Sequence, residues 1–558
     1  MAASFLDDRR LLRGPWQAFE RDVARLLIGA GFDDVRIVGG SGDKGADIVG
    51  VKNGQIWVVQ CKHTTTSPPT KSAVQEVVDA GVYYKADRLM VATSRPAGGS
   101  LHSEIERFKK IGIVVENLDP AKLESFISRI PEYPKSRREL RPYQQDALEK
   151  FRGGLLDTGR GQIVLATGLG KTVVMAELVA DLYRDGLIQG NRVLILADKR
   201  ELVKQLQLGF WHQLPKSIPT HLLSGEEMPS FWDGITFATV QSVVGRADTL
   251  PRFGLVLVDE AHHIGSPTFQ RALELLEPPL LGGVTATPWR GDSFDIDETL
   301  GAPLIRLGIS DGLRNRYLCE VDYRLLADNV DWKFIQSISA HHYSLTQLNR
   351  KLILPTRDDE AARQIIDVFK SEKRRGGIVF SPTVDHADSF AGTLRSYGLK
   401  AESMSSRQEP RERDRLMASF RRGDIDVLTS VDLFNEGVDV PDVDLIVFMR
   451  ATHSRRIFVQ QLGRGLRMSP GKDKVVVLDF VTDLRRIAEV VELEKASSGP
   501  MERLPLGHHL VNFRDESAGS FMLEWMKDQA DLMLREGDAQ LELPRFDYPS
   551  APMPGGVK

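Results

Sequence analysis

Ile163-Val164-Leu165-Ala166-Thr167-Gly168-Leu169-Gly170-Lys171-Thr172 is the stretch that decides the fold. An apolar run enters a glycine turn, and the turn exits into a helix. That order makes a phosphate cradle, because unpaired backbone N–H groups and a helix N-terminus converge on one anion. Thr167, Gly168 and Gly170 supply the cradle. Lys171 reaches the β- and γ-phosphates and Thr172 the Mg2+, so ATP is the expected ligand. The full P-loop pattern begins with Gly five residues before Gly170, where this chain has Leu165.

Further along, Leu255-Val256-Leu257-Val258-Asp259-Glu260-Ala261-His262 completes that half-site. Four apolar residues predict a parallel strand buried on both faces. Asp259 at its end holds Mg2+, and Glu260 orients or deprotonates the attacking water. Val284-Thr285-Ala286-Thr287-Pro288 ends another strand. A second αβ block begins near residue 355. It contains Gly377-Ile378-Val379-Phe380-Ser381, Asp426-Val427-Leu428-Thr429-Ser430, Asn435 to Pro441, and Gln460-Gln461-Leu462-Gly463-Arg464-Gly465-Leu466-Arg467. Arg464 and Arg467, three apart on a helix, suit an arginine finger and its neighbour.

This ordered series resembles superfamily 2 DEAH-type helicases and translocases, in the branch of restriction-enzyme motors and XPB-like repair helicases. Those proteins commonly carry the shorter Ala-Thr-Gly-x-Gly-Lys-Thr loop, here Ala166 to Thr172. The resemblance implies two RecA-like parallel-sheet domains, at 141–315 and 356–495, joined by a connection over 316–355. It places Gln144 and Arg141 at the adenine, and Asp439 near the nucleotide. Thr285 and Thr287 are expected to couple the ATP site to nucleic acid. Asp198-Lys199-Arg200, Thr239-Val240-Gln241-Ser242, Ser381, Thr429 and Ser430 match strand-contacting segments. Hydroxyls and amides there read phosphate rather than sequence.

A Pro- and charge-rich linker, residues 133–140, separates this motor from an N-terminal block. Residues 16–31 read as an amphipathic helix through Trp16, Phe19, Val23, Leu26 and Leu27. Asn53-Gly54 is a hairpin signal. Asp47 lies six residues before Asn53 and Gln60 six after Gly54, so an antiparallel pair brings them together. Gln60 and Lys62 share one strand face, and Cys61 points to the other and into the core. A carboxylate with a divalent metal and a nearby lysine is the apparatus of phosphodiester cleavage. A helix is expected over Ser72–Tyr84, a strand over Arg88–Ser94, a helix near Ser103–Ile111 and a strand at Ile113–Val115.

Glu20, the loop before Gly45-Ala46-Asp47, and Val59-Gln60-Cys61-Lys62 resemble the Mrr-type branch of restriction-endonuclease-like nucleases, which uses Gln-x-Lys where relatives use Asp/Glu-x-Lys. The resemblance implies a nuclease domain over residues 1–132. In it Asp47 is a metal ligand, Gln60 its metal-site partner, Lys62 the catalytic lysine and Glu20 an auxiliary acid. The fold class is therefore α/β throughout: a restriction-endonuclease-like αβ domain, two RecA-like domains, and a C-terminal segment, 496–558, with a helix at Ser520–Arg535 and a Pro-rich tail.

Composition fits that picture. Of 558 residues, 42% are hydrophobic and 27% charged, with net charge −4. That charge excludes a globally basic coat but leaves local basic tracks on which phosphate contacts depend. No apolar run approaches the roughly 18 residues of a membrane span. The charged start, Met1 to Arg13, has no apolar signal region. Two cysteines, Cys61 and Cys319, build neither a disulfide framework nor a zinc site. The expectation is a cytoplasmic, prokaryotic enzyme without membrane partners. It couples ATP-driven movement on duplex DNA to Mg2+-dependent cutting in restriction or anti-phage defence, with a separate protein as a candidate for target recognition. Rival readings are a DNA-dependent ATPase whose N-terminal domain only binds DNA or a partner, an RNA-directed helicase, and a nuclease that ATP switches rather than drives.

Overall fold

Short β-branched runs separated by glycine turns organise the chain into three main sheets. The structure is a computed structural model. It describes residues 5–326 except 8–9, 12, 39–44, 226 and 287–294; residues 358–431 and 443–449; residues 465–480 except 467, 469–470 and 473; and three two-residue strands at 342–343, 511–512 and 541–542. Among the described residues, no helix is long and apolar enough to cross a membrane.

The N-terminal sheet has the order β1-β2-β3-β4-β5, formed by Asp34–Ile37, Ile48–Lys52, Gln55–Lys62, Arg88–Thr93 and Val115–Leu118. β1 to β3 run antiparallel, while β3, β4 and β5 are parallel. Helix α1 (Trp16–Gly29) covers one face, where Phe19, Val23, Leu26 and Leu27 pack with Ile48, Val59 and Cys61. Trp16 leaves this face and is 49% exposed. Helix α2 (Ser72–Tyr84) covers the other face with Ala73, Val74 and Val77 against Val49, Val58 and Val91. The next helix, α3, starts earlier than its apolar pattern predicts, at Gly99–Lys110, and β5 correspondingly falls later.

The second sheet is wholly parallel. Its strands are β6 (Arg160–Leu165), β7 (Arg192–Ala197), β8 (Thr220–Leu223), β9 (Gly234–Thr239), β10 (Leu255–Asp259), β11 (Leu280–Thr285) and β12 (Ile305–Leu307), in the order β12-β6-β11-β10-β7-β9-β8. Helices α4 (Pro142–Thr158), α5 (Lys171–Arg184) and α6 (Arg200–Trp211) flank it.

These two sheets belong to one compact unit spanning Met1–Gly308. Trp211 and Leu208 of α6 enter the same apolar cluster as α1. Arg21 of α1 makes a buried pair with Glu227. Arg25 donates to the Ile218 and Pro215 carbonyls at 2.7 and 2.9 Å. Lys216 returns the pattern, donating to the carbonyls of Ile127 and Ile130 at 3.1 and 2.8 Å. Each cation buried at this joint therefore finds oxygen acceptors.

A third, parallel sheet forms in the other unit. It is built from β13 (Glu320–Leu326), β15 (Gly377–Phe380), β16 (Ala401–Ser403), β17 (Val427–Ser430), β18 (Leu445–Phe448), β19 (Lys474–Phe480) and β20 (Val511–Asn512). The order is β16-β17-β15-β18-β19-β13-β20. β14 (His342–Tyr343) pairs with β21 (Leu541–Glu542). The expected connection over 316–355 thus gives the third sheet a strand, β13, in register with β19 from Glu320↔Lys474 to Leu326↔Phe480. The expected helix at Ser520–Arg535, Trp332, and the side chains of His341-His342 and His508-His509 lie outside the described residues.

Candidate functional site

Asn53 and Gly54 both adopt positive φ, 52° and 76°, as a two-residue type I′ hairpin requires. The turn sets the register from Lys52↔Gln55 to Ile48↔Val59, and one further step puts Asp47 opposite Gln60. There Asp47 Oδ2 accepts the Gln60 Nε2 amide at 2.7 Å and the Cys61 backbone N–H at 2.6 Å. Asp47 and Gln60 are both buried. Gln60 Oε1 is buried as well, with no hydrogen-bond partner among the described residues.

The two faces of β3 divide as its period predicts. Cys61 joins the α1 core, whereas Lys62 turns toward α2 and pairs with Glu76, Nζ to Oε2 2.6 Å. Burial pushes the Cys61 thiol well up, and the Asp47 and Glu20 carboxylates add to the effect. Such a thiol is inert. Glu20 is itself buried on α1, close enough for its charge to act on Cys61 beside that of Asp47.

A buried carboxylate and an amide oxygen that no described residue donates to are hard oxygen ligands, the chemistry that suits a divalent cation of the Mg2+ or Mn2+ class. Among the described residues no group of three or more His, Cys, Asp and Glu side chains converges as a metal site. The fit rests on Asp47 and Gln60.

In the second sheet, β6, β11 and β10 lie side by side and end together. Their C-terminal edge gathers the loop 166–170, Thr285 and the Asp259-Glu260 pair, where ligands bind in parallel sheets. Gly168 and Gly170 take φ of 93° and 86°. A Cβ at Gly170 would fall on Gln144 Nε2. Gln144 locks this loop: Nε2 donates to the Leu169 carbonyl at 2.9 Å, and Oε1 accepts the Arg141 N–H at 2.9 Å. One N–H and one lone pair of the amide expected at an adenine are thus engaged within the protein, and one of each is left.

Lys171 Nζ stands 3.6 Å from Glu260 Oε1. Burial and the Glu260 charge push the Asp259 carboxyl up to about 7. Glu260 resolves the other way. Burial opposes its ionisation, but the Lys171 ammonium and His262 outweigh it, and its carboxyl is held well below the usual range. Glu260 also occupies the left-handed region at φ 49°, strain of the kind that clusters at working sites. Fully buried His262 bridges Glu260 Oε2 at 3.3 Å and Thr285 Oγ1 at 3.0 Å. Sequence reasoning assigned His262 no role, although it follows Asp-Glu-Ala directly.

Known families divide the chain along these same lines. Residues 137–290 match the Type III restriction enzyme, res subunit, family. Residues 360–469 match the helicase conserved C-terminal domain, and residues 11–122 match the restriction endonuclease family. Residues 137–290 and 360–469 are thus similar to the two halves of superfamily 2 helicase motors, and the region before them is similar to restriction endonucleases.

The motor is 26% identical to the putative ATP-dependent helicase IRC3 of Saccharomyces cerevisiae, over 61% of this chain and 51% of that one. It is 28% identical to the DNA 3'-5' translocase XPB2 of Sulfurisphaera tokodaii, over 64% of this chain and 85% of that one. The chain spans about half to three-fifths of the length of the first curated relatives it matches. In fold it is similar to the ATP-dependent Type ISP restriction-modification enzyme LlaBIII bound to DNA, with a TM-score of 0.52 and 16% identity over 92% of this chain and 41% of that chain.

Other motor positions divide by exposure. Lys199 and Arg200, after β7, and Gln241, after β9, are exposed at neighbouring strand ends. Thr239 caps the helix Val240–Val244, accepting the Ser242 N–H. In the third sheet, Ser381 and Ser430 hold buried hydroxyls without partners among the described residues. The Thr429 hydroxyl instead donates to the Ala387 carbonyl at 2.7 Å, an inward bond that removes it from a phosphate. Thr287, Asp439, Arg464 and Arg467 lie outside the described residues.

Proposed function

We propose that this protein is an ATP-driven DNA translocase or helicase that cuts DNA at its N-terminal site, in restriction or defence against phage. The observation that carries the reading is Gln60 Oε1, a buried acceptor without a donor among the described residues, beside a carboxylate already oriented by two N–H groups. A purely DNA-binding relic has no use for that arrangement, whereas a cation-dependent nuclease does. Mg2+ bound there supplies Lewis acidity to the scissile phosphate and a water of lowered pKa. Asp47 and Gln60 hold it, Lys62 neutralises charge developing on the phosphate, and buried Glu20 tunes the site's electrostatics.

In the motor, the 166–170 loop and Lys171 bind the ATP phosphates, and Thr172 and Asp259 hold the nucleotide's Mg2+. Glu260, steadied by His262, orients the attacking water. Arg464, Arg467 and Asp439 act on the nucleotide, with Arg141 and Gln144 at its base. Lys199, Arg200, Thr239, Gln241 and Ser381 follow the DNA backbone. The restriction-enzyme families matched over residues 11–122 and 137–290 support the defence role.

Supercoiled duplex DNA incubated with Mg2+, with and without ATP, tests the reading alongside Lys62→Ala and Lys171→Ala. ATP-dependent cutting lost in both variants, with DNA-stimulated ATPase kept in Lys62→Ala, is the expected result. Cutting by Lys62→Ala at the parental rate sinks the nuclease assignment. Stimulation of the ATPase by RNA above DNA sinks the substrate assignment.

A further inference from the structure

Glu76 belongs to none of the motifs that mark the nuclease-like site, yet two independent features bring it there. The first is its ion pair with Lys62, Nζ to Oε2 2.6 Å, between side chains 29% and 37% exposed. The second is backbone packing. Gly45 sits at φ 85° directly against the α2 turn that carries Glu76; a Cβ on Gly45 would lie 2.6 Å from the Glu76 Cα. The strand entering Asp47 is therefore seated on Glu76's own turn of helix. One contact fixes where Asp47 starts, and the other fixes where Lys62 ends.

We propose that Glu76 is a positioning residue of the nuclease site. It holds the Lys62 ammonium beside the Asp47–Gln60 cradle and shares it with a phosphodiester oxygen once DNA is bound. The proposal rests on the reading that this site cuts DNA. A lysine on a four-carbon stem has three donors and much rotamer freedom. An anion on a rigid helix removes that freedom before substrate arrives, which is the preorganisation that a charge-stabilising group needs. Because the anchor still shares Lys62 as charge develops on the phosphate, it steers the ammonium in the complex as well as in the free enzyme, and because it competes for Lys62 it adds nothing to DNA affinity.

The test uses the full chain with Glu76→Gln, Glu76→Ala and Glu76→Asp, and Lys62→Ala as reference. Glu76→Gln is expected to lower kcat for DNA cutting by about 10- to 100-fold, the scale of a misplaced catalytic group. KM for DNA stays level or falls, because a competitor for Lys62 has gone. Glu76→Asp recovers part of the rate, and melting temperature and DNA-stimulated ATPase stay at parental values. Unchanged kcat in Glu76→Gln overturns the proposal. So does a loss that extra Mg2+ restores, which makes Glu76 a metal ligand instead.

A second readout does not depend on cutting. Acetic anhydride labelling of Lys62, read by peptide mass spectrometry, is expected to rise several-fold in Glu76→Gln. If the parent does not cut but labelling rises, the nuclease reading has failed while the pair stands. If labelling is unchanged, the pair itself is refuted.

Discussion

Arg21 and Glu227, 206 residues apart in the chain, close a two-pronged ion pair in which one bond is 2.9 Å and the side chains are 9% and 3% exposed. Arg21 follows Glu20 on α1. Glu227 follows Gly225, whose carbonyl Arg246 holds and beside which the Arg200 guanidinium passes. Glu227→Ala leaves a buried guanidinium without its partner, a defect of about 3–5 kcal/mol. A matching fall in unfolding free energy is expected. Arg21→Met combined with Glu227→Leu should recover most of it, and purely additive losses would show that the two do not interact.

Gly45 is where backbone conformation limits the nuclease site. Gly45→Ala places a methyl inside the Glu76 turn at a φ that L-residues avoid. Cutting is expected to fall by about 100-fold, through displacement of Asp47, while ATP hydrolysis persists. Parallel assays of DNA cutting and phosphate release check this. Equal loss of both would mean that the whole unit is disturbed.

Asp22 makes the stability of the joint depend on pH. Burial raises its carboxyl from 3.8 to about 7 against the opposing charges of Arg10, Arg21 and Arg25. Through that window the unfolded chain has released a proton that the folded chain keeps, so Asp22 destabilises folding increasingly as pH rises from about 4 to 7. His221 at the same joint works oppositely. Burial lowers it to about 4, so its penalty appears as pH falls below its ordinary 6.5. Asp22→Asn should therefore raise the melting temperature more at pH 8 than at pH 5. Equal gains at the two pH values would rule Asp22 out.

Glu260→Gln removes the carboxylate that Lys171 and His262 hold ionised. ATP turnover is expected to drop by about 100-fold or more. If ATP drives the motor that feeds the cutter, cleavage of supercoiled DNA falls with it. Cleavage that continues under ATP would identify a switch rather than a fuel.

The hairpin and the side chains it brings together were legible because local rules decide them. Asn53-Gly54 dictates a turn with two positive φ values, and period two then fixes Asp47 against Gln60 and separates Cys61 from Lys62. The P-loop and Asp259-Glu260 were legible for the same reason, each following an apolar strand. Glu76 was hidden. A glutamate on an amphipathic helix looks solvated unless the strand beneath it is known. Arg21 with Glu227 is a through-space meeting that no window along the chain encloses. β13 escaped because seven residues of mixed polarity do not announce which sheet will take them. Gln144 shows the converse limit, since its position was plain but not that its amide would also hold the Leu169 carbonyl.

The shared core of α1 and α6 bears on how this protein can be taken apart. By sequence, the natural cut for a chimera is the linker at 133–140. A graft made there strips Trp211 of the helix it packs against, and leaves the carbonyls of Pro215 and Ile218 without Arg25. The unit that can be exchanged intact is therefore larger than the nuclease domain. It includes the face of the first lobe from Leu208 to Glu227, and a new cutter must be fitted to that face before it is fitted to the motor.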